Sequence, residues 1–445
     1  MSGKDVRAYI RDKFGVSFWD TLYKSLWYND ILLTTSSAYQ RWRIARLRKQ
    51  QQRIVERLQE KKRYKVVFFL QNDSIWKYDA LYRLMEASEL FEPVVVISPY
   101  NVHIIYDKSE CLRVMQRTEA YAAQQGYNYI SAYDYEHHKW RNIKKMLRPD
   151  IVFFTKPYKD TRPAYHIYNF TDTLTLYIAY GIACIDIYRQ NYNLSFHNML
   201  WRFLVETSFH KELSEQYALC KGDNVAVVGA VSMEKIMRRD YVPQNVWKPQ
   251  PSPKKRIIWA PHHTVDYLFN FSNFLVYADD MLRLAEKYKD SVQFAFKPHP
   301  VLKFKLINIW GAERTEQYYK QWDELSNSQL VEGDYMDLFI TSDALIHDCG
   351  SFTGEYLYTQ KPVLFMVRDP QVEKHWNPFG RKCYDQHYKA HDLTAIEHFI
   401  EDVVIKGNDS MSASRETFYR QYLYPQDGVM PSQKIFTLLQ TALGK

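Results

Sequence analysis

Long apolar runs, cysteine motifs and glycine are what this chain of 445 residues has least of. No uninterrupted stretch of about 18 apolar residues occurs, so no transmembrane helix is expected. The opening MSGKDVRAYIRDKFG lacks the apolar centre that a secretory signal needs. The five cysteines, Cys111, Cys184, Cys220, Cys349 and Cys383, are odd in number, far apart and form no CxxC pair. That spacing supports neither a zinc knuckle nor a disulfide framework and suits a cytoplasmic protein. Only 14 glycines are present, and no internal repeat.

What is abundant is aromatic and locally basic. With 36 Tyr, 24 Phe and 11 Trp the composition suits clefts for nucleotides or carbohydrate, although it can equally be a lineage habit. The net charge of +8 is concentrated between Arg41 and Lys65, where eleven Lys or Arg face two Glu; the remainder is close to neutral. Ahead of that run, Phe18, Trp19, Leu22, Leu26, Trp27, Ile31 and Leu32 make a helical apolar stripe. Residues 1–62 therefore read as a helical, basic amphipathic extension. Such an extension can pack on its own protein, lie on an anionic membrane surface, or serve as a coiled coil or nucleic-acid arm.

From Tyr64 onward, short apolar runs alternate with helical stretches. KVVFFL, PVVVIS, DIVFFT, LYIAYGI (Leu176–Ile182) and NVAVVGA predict buried parallel strands of a first doubly wound domain over 63–245. The four-proline segment Tyr241–Lys255 predicts a linker. RIIWAP, VQFAFKPHP, SQLVEG, ALIHD and PVLFM restart the alternation in a second domain over 255–445. Two Rossmann-like domains about one linker suggest a GT-B type architecture with the site in the cleft between them.

Three strand exits carry the chemistry. After ALIHD, the turn Asp348-Cys349-Gly350-Ser351 opens a helix with Thr353 and Glu355 in its first turn. Free N–H groups and hydroxyls at a helix start attract a pyrophosphate, while Glu355 is placed to accept from a ribose diol. The plainer reading makes Ser351 an N-cap and Glu355 an ordinary first-turn acid. In Lys297-Pro298-His299-Pro300 both prolines hold the preceding residue extended, aiming Lys297 and His299 outward toward a phosphate. Ala260-Pro261-His262-His263-Thr264 sets two histidines at the first exit of the second domain. His262, His263, His299 and His347 invite a metal reading, but no HxH or HxxxH spacing links these four and the acids are not clustered with them, so no metal and no cofactor is expected.

The order strand-APHHT, strand-KPHP and SDALIHDCGSFTGEYLYTQKPVLF resembles the CDP-glycerol glycerophosphotransferase family, which includes teichoic-acid polymerases. The match covers roughly residues 255–370. It implies a GT-B fold and metal-independent transfer of an alditol phosphate from a CDP-activated donor to a glycan or lipid-linked glycan acceptor. The cysteine usage and the basic extension together lead to the expectation of a cytoplasmic enzyme, peripheral on the inner face of the membrane. By position, Lys297, His299, Asp348, Ser351 and Glu355 would serve the donor, with His263, Gly350 and Thr353 beside them. This chain departs twice: Gly350 stands where the family has a second Ser, and Tyr180-Gly181 stands on the acceptor side where the family carries its basic His-Gly. His197, His166 or His262 would then replace that base, leaving His299, His262 and His197 as catalytic candidates. Two rivals stay open, a GT-B glycosyltransferase using a nucleotide sugar and a non-catalytic basic membrane- or RNA-binding protein. The near-neutral remainder speaks against nucleic acid as a partner.

Overall fold

The computed structural model describes residues 37–100, 108–265 and 271–445. The apolar stripe from Phe18 to Leu32 lies outside the described residues. The first sheet contains β1 (Tyr64–Leu70), β2 (Phe91–Ile97) and β3 (Tyr129–Ser131). A short antiparallel ribbon of β4 (Tyr133–Asp134) and β5 (Lys139–Trp140) follows. The sheet continues with β6 (Ile151–Phe154), β7 (Leu174–Ile178), β8 (Arg202–Val205) and β9 (Val225–Val227). Its order is β3-β2-β1-β6-β7-β8-β9, all parallel.

The second sheet holds β10 (Lys255–Ala260), β11 (Val292–Phe296), β12 (Ser328–Leu330), β13 (Ala344–His347), β14 (Val363–Met366) and β15 (Tyr388–Ala390). Its order is β12-β11-β10-β13-β14-β15, again parallel. The central strands are apolar on both faces because crossover helices cover both. Strand order reverses between β1 and β6 and between β10 and β13, where doubly wound sheets bind ligands. In the two main sheets, β8 (RFLV) and β15 (YKA) were not among the runs expected from the sequence.

Three further differences have a common cause. The run expected as a strand to Ile182 leaves the sheet after Ile178, and Ile182 and Cys184 are buried in the core of the second domain. There the Asp186 N–H donates to the His375 carbonyl at 2.9 Å, and the Asn377 N–H donates to the Cys184 carbonyl at 2.9 Å. The last helix, Pro431–Leu443, returns to the first domain, burying Ile435, Leu439 and Leu443 in its core rather than extending the second domain to Lys445. The helix Ser37–Gln59 buries Ile54, Val55 and Leu58 in the same core. Its Arg48 donates to the Leu200 carbonyl at 2.8 Å and pairs with Asp223, while Gln51 donates to the Met199 carbonyl. In each case an apolar stripe announces burial without saying against which sheet. Among the described residues no helix is long and apolar enough to cross a membrane.

Candidate active site

The exits of β10 and β11 are zipped together: the Lys297 N–H donates to the Trp259 carbonyl at 2.8 Å and the His299 N–H to the Pro261 carbonyl at 3.1 Å. This gathers His262, His263 and His299 into one half-buried cluster. Their ring centroids lie 4.3 Å apart for His262–His263 and His263–His299, and 5.3 Å for His262–His299. Lys297 stands beside them, 5% exposed, its Nζ 5.8 Å from the Tyr335 ring centroid. Burial pulls its ammonium down to about 8, partly offset by the carboxylates of Glu332 and Asp334.

One ring nitrogen from each of the three histidines lies within 4.8 Å of the others, a spacing that a single metal ion tolerates. The hydrogen bonding argues for a different ligand. The Val301 N–H donates to His299 Nδ1 at 3.1 Å, so the neutral ring carries its proton on Nε2 and offers a donor there, not a lone pair. Burial, then the neighbouring charges of His263, His262, Lys297 and Lys156, hold His299 well below the usual histidine range. Burial, His263, Lys305 and His347 do the same for His262. The Lys297 ammonium beside these rings favours an oxyanion at this place.

The turn after β13 is organised against protein more than toward a ligand. Asp348, 1% exposed, accepts from the His262 N–H and the Asn273 N–H, each at 2.6 Å. Burial pushes it up to about 7, with those amides pulling the other way. One oxygen thus fastens the His262 backbone and the other Asn273 at the start of the next helix, a positioning role where the sequence reading had expected contact with the donor. Thr353 Oγ1 donates to the Cys349 carbonyl at 3.0 Å. Glu355 accepts from the Ile182 N–H at 3.2 Å on one oxygen and from the Tyr335 hydroxyl at 2.8 Å on the other. Burial pushes Glu355 too up to about 7. Ser351, half-buried, precedes the short helix Phe352–Glu355 without a side-chain cap bond.

The glycines explain the departure from Ser. A Cβ on Gly350 would meet Ile185 Cγ1 at 3.0 Å and its Cδ1 closer still. A Cβ on Gly181 would lie 3.0 Å from Glu355 Oε1 and from Ser351 Cβ. Gly350 therefore makes room for the first domain's loop, where close approach to a ligand had been expected. Gly181 brings Tyr180, 38% exposed, to the same seam.

His197 is not part of the cluster. It is 1% exposed, its Nδ1 accepts from the Leu194 N–H at 3.2 Å, and its ring packs near Tyr177 and Phe203. Burial alone brings it down to about 3, so it is a neutral core side chain and not a catalytic base. His166 stacks on Tyr168 at 4.8 Å inside the first domain. His347 is fully buried and faces His387 across 5.3 Å, outside the three-histidine cluster.

The sequence reading missed two lysines at the carboxyl edge of the first sheet. Buried Lys77 donates to the Thr155 and Ile178 carbonyls. Lys156, at the exit of β6, lies 3.4 Å from Asp160 and 3.6 Å from the Tyr100 ring centroid. The available signal was Lys156-Pro157, a second Lys-Pro after an apolar strand, mirroring Lys297-Pro298.

Comparison with known proteins places this geometry. The family model described as CDP-Glycerol:Poly(glycerophosphate) glycerophosphotransferase matches residues 205–440, just over half of the chain. A variant of the wall teichoic acid polymerase TagF superposes with a TM-score of 0.53 at 12% identity, covering 87% of this chain and 90% of that one. The same variant soaked with CDPG gives 0.53 at 14% identity, with the same coverage. The S. aureus MnaA–UDP complex gives 0.50 at 14% identity, covering 86% of this chain and 97% of that one. At these identities the likeness shows the two-domain GT-B fold alone. No curated protein matches the chain.

Proposed function

Since the chain belongs to the CDP-glycerol:poly(glycerophosphate) glycerophosphotransferase family, we propose that it transfers an alditol phosphate, of the glycerol phosphate type, from a CDP-linked donor to a hydroxyl of a cell-surface glycan acceptor. The observation that carries this reading is the cluster of the Lys297 ammonium with His299, His262 and His263 beside the β10/β13 switch point, with His299 fixed as an N–H donor. The acceptor oxygen attacks the alditol-bearing phosphorus; the new O–P bond forms as the P–O bond to CMP breaks. His299 Nε2–H and the Lys297 ammonium stabilise the charge that builds on the phosphates. His262, with Nδ1 hydrogen-bonded to Thr264 Oγ1 at 3.0 Å and its backbone held by Asp348, takes the acceptor proton; the bound diphosphate raises its basicity. No metal is needed in this scheme. The exposed Arg41, Arg46, Lys49 and Arg53 on the first described helix would rest on anionic headgroups and keep the enzyme near a lipid-linked acceptor.

Incubation with CDP-glycerol, CDP-ribitol and a panel of nucleotide sugars tests the reading. The expected result is CMP release from a CDP-alditol. Release of a nucleoside diphosphate from a sugar donor, with no CMP from any CDP-alditol, replaces it by a glycosyltransferase.

The pH profile adds a second check. Lys297 is charged below about 8 and loses its proton above that, so kcat/KM for the donor should fall as pH rises through about 8. In Lys297→Arg, which stays charged, that alkaline limb should move beyond the range of the assay. A limb unmoved by the substitution would assign it to another group.

A further inference from the structure

The candidate active site lies at the carboxyl ends of the strands, and the opposite edge of the first sheet carries a second feature. We propose that the groove between Arg202 and the last helix binds the phosphate headgroup of an anionic lipid. The inference rests on the membrane placement proposed above and gives it a defined pocket.

The groove, of about 600 Å3, opens between β8 and the helix Pro431–Leu443. Arg202, the first residue of β8, stands on one side, and Lys434 of the helix on the other. Val429, 38% exposed, joins Leu438 and Ala442 in an apolar wall. Lys434 pairs with Asp427 at 2.9 Å, so those two charges largely cancel. Arg202 is different. It is half-buried, its Nη1 donates to the Trp201 carbonyl at 3.1 Å, and its guanidinium lies 4.7 Å from the Trp201 ring centroid. Among the described residues no carboxylate forms an ion pair with it, and nearby Asp223 is taken by Arg48 at 2.8 Å. Burial and then the Arg48 charge press its pKa down, partly offset by Asp223. A confined guanidinium beside a second cation is stabilised by an anion brought to its remaining N–H donors.

The basic helix Ser37–Gln59 borders the same groove. Its Arg48 donates to the Leu200 carbonyl, two residues before Arg202, and its Gln59 donates to the Ala442 carbonyl at 3.1 Å. Arg57 reaches the Asp172 carbonyl ahead of β7, and Lys61, just past the helix, reaches Asp150 ahead of β6. The helix therefore runs along the amino edge of the sheet and brings exposed Arg41, Arg46, Lys49, Arg53 and the 54% exposed Trp42 to the edge that holds the groove. Charge and shape agree on one occupant. A free phosphate would satisfy Arg202 but leave Val429, Leu438 and Ala442 in water. A lipid sets its phosphate on Arg202 and its glycerol and first acyl carbons on that wall, while neighbouring headgroups meet the helix.

The test is flotation of the full chain with phosphatidylcholine vesicles, with and without phosphatidylglycerol. It needs no turnover, so its outcome is separate from that of the transferase reading. Wild type should bind the vesicles that contain phosphatidylglycerol and not the others. Arg202→Gln should weaken that binding about tenfold. Arg202→Lys keeps the charge but not the planar fork, and should stay at least about threefold weaker than wild type. Where urea unfolding shows that Arg202→Gln does not fold, Lys434→Gln, which leaves Asp427 unpaired in the groove, supplies the comparison with a loss of about fivefold. Binding by Arg202→Gln within about twofold of wild type overturns the proposal. Arg202→Lys equal to wild type also overturns it, because diffuse charge would then suffice. Calorimetric titration with inorganic phosphate is the last arm: saturation that Arg202→Gln abolishes while vesicle binding is unchanged would make this a free-anion site and overturn the lipid assignment.

Discussion

His299→Ala should lower kcat for transfer about 10²–10³-fold, some 2.7–4 kcal/mol, which is the usual cost of removing one fixed donor to charge that develops in the transition state. The effect should fall on kcat more than on donor affinity, because the ring is neutral and meets full negative charge only as the P–O bond to CMP breaks. The geometry makes the donor unusually well defined. Val301 holds Nδ1, Pro261 holds the backbone N–H, and the prolines at 298 and 300 restrict the residues before them. Melting temperature should hardly move, since the half-buried ring gives up one hydrogen bond that water can replace. His299→Gln, which can present an N–H near the same place, should recover part of the rate. Unchanged turnover in His299→Ala would remove this residue from the site.

Gly380→Ala should strongly destabilise the protein, although it adds a better helix former to the helix Pro378–Tyr384. The propensity gain is about 1 kcal/mol. Against it, a Cβ at this position would meet the Cys184 carbonyl, its carbon at 2.8 Å and its oxygen closer still. That carbonyl accepts from the Asn377 N–H in the seam between the domains, and backbone on both sides leaves no flexible side chain to yield. Overpacking of this kind costs about 3 kcal/mol, so the clash wins and the net loss is near 2 kcal/mol. Urea unfolding followed by intrinsic fluorescence measures it. The loop 179–186 carries Tyr180 and Gly181 against Ser351 and Glu355, so activity should fall further than the population of folded protein does. A variant as stable as wild type would show that the two domains do not meet as described.

The contrast between those two positions shows what could be read in advance. His299 was legible because its chemistry is local: a strand, two prolines and a ring at the exit specify where the side chain points. Gly380 carried no signal at all, because its need for an absent Cβ arises from Cys184, nearly two hundred residues earlier. Gly350 lies between the two. Its departure from the family's Ser was visible as a residue type, but the reason, Ile185 of the other domain, was not. Asp348 and Glu355 were recognised as special acids and assigned to the donor. The structure gives their oxygens to backbone amides and a tyrosine, partners that only chain packing supplies. His197 was offered as a replacement base because Tyr180-Gly181 stands where the family carries its His-Gly, and it proved to be a core residue.

The sequence alone determined the two parallel α/β units and the strand exits that bear Lys297, His299 and His262. Each depends on periodicity and turn chemistry within about ten residues, so no long-range information was required. Only the tertiary structure decided which wall each exit faces. It sent the loop after Ile178 into the second domain and returned the last helix to the first. Those outcomes depend on burial shared between segments far apart in the chain, and an apolar stripe is the same whichever surface covers it.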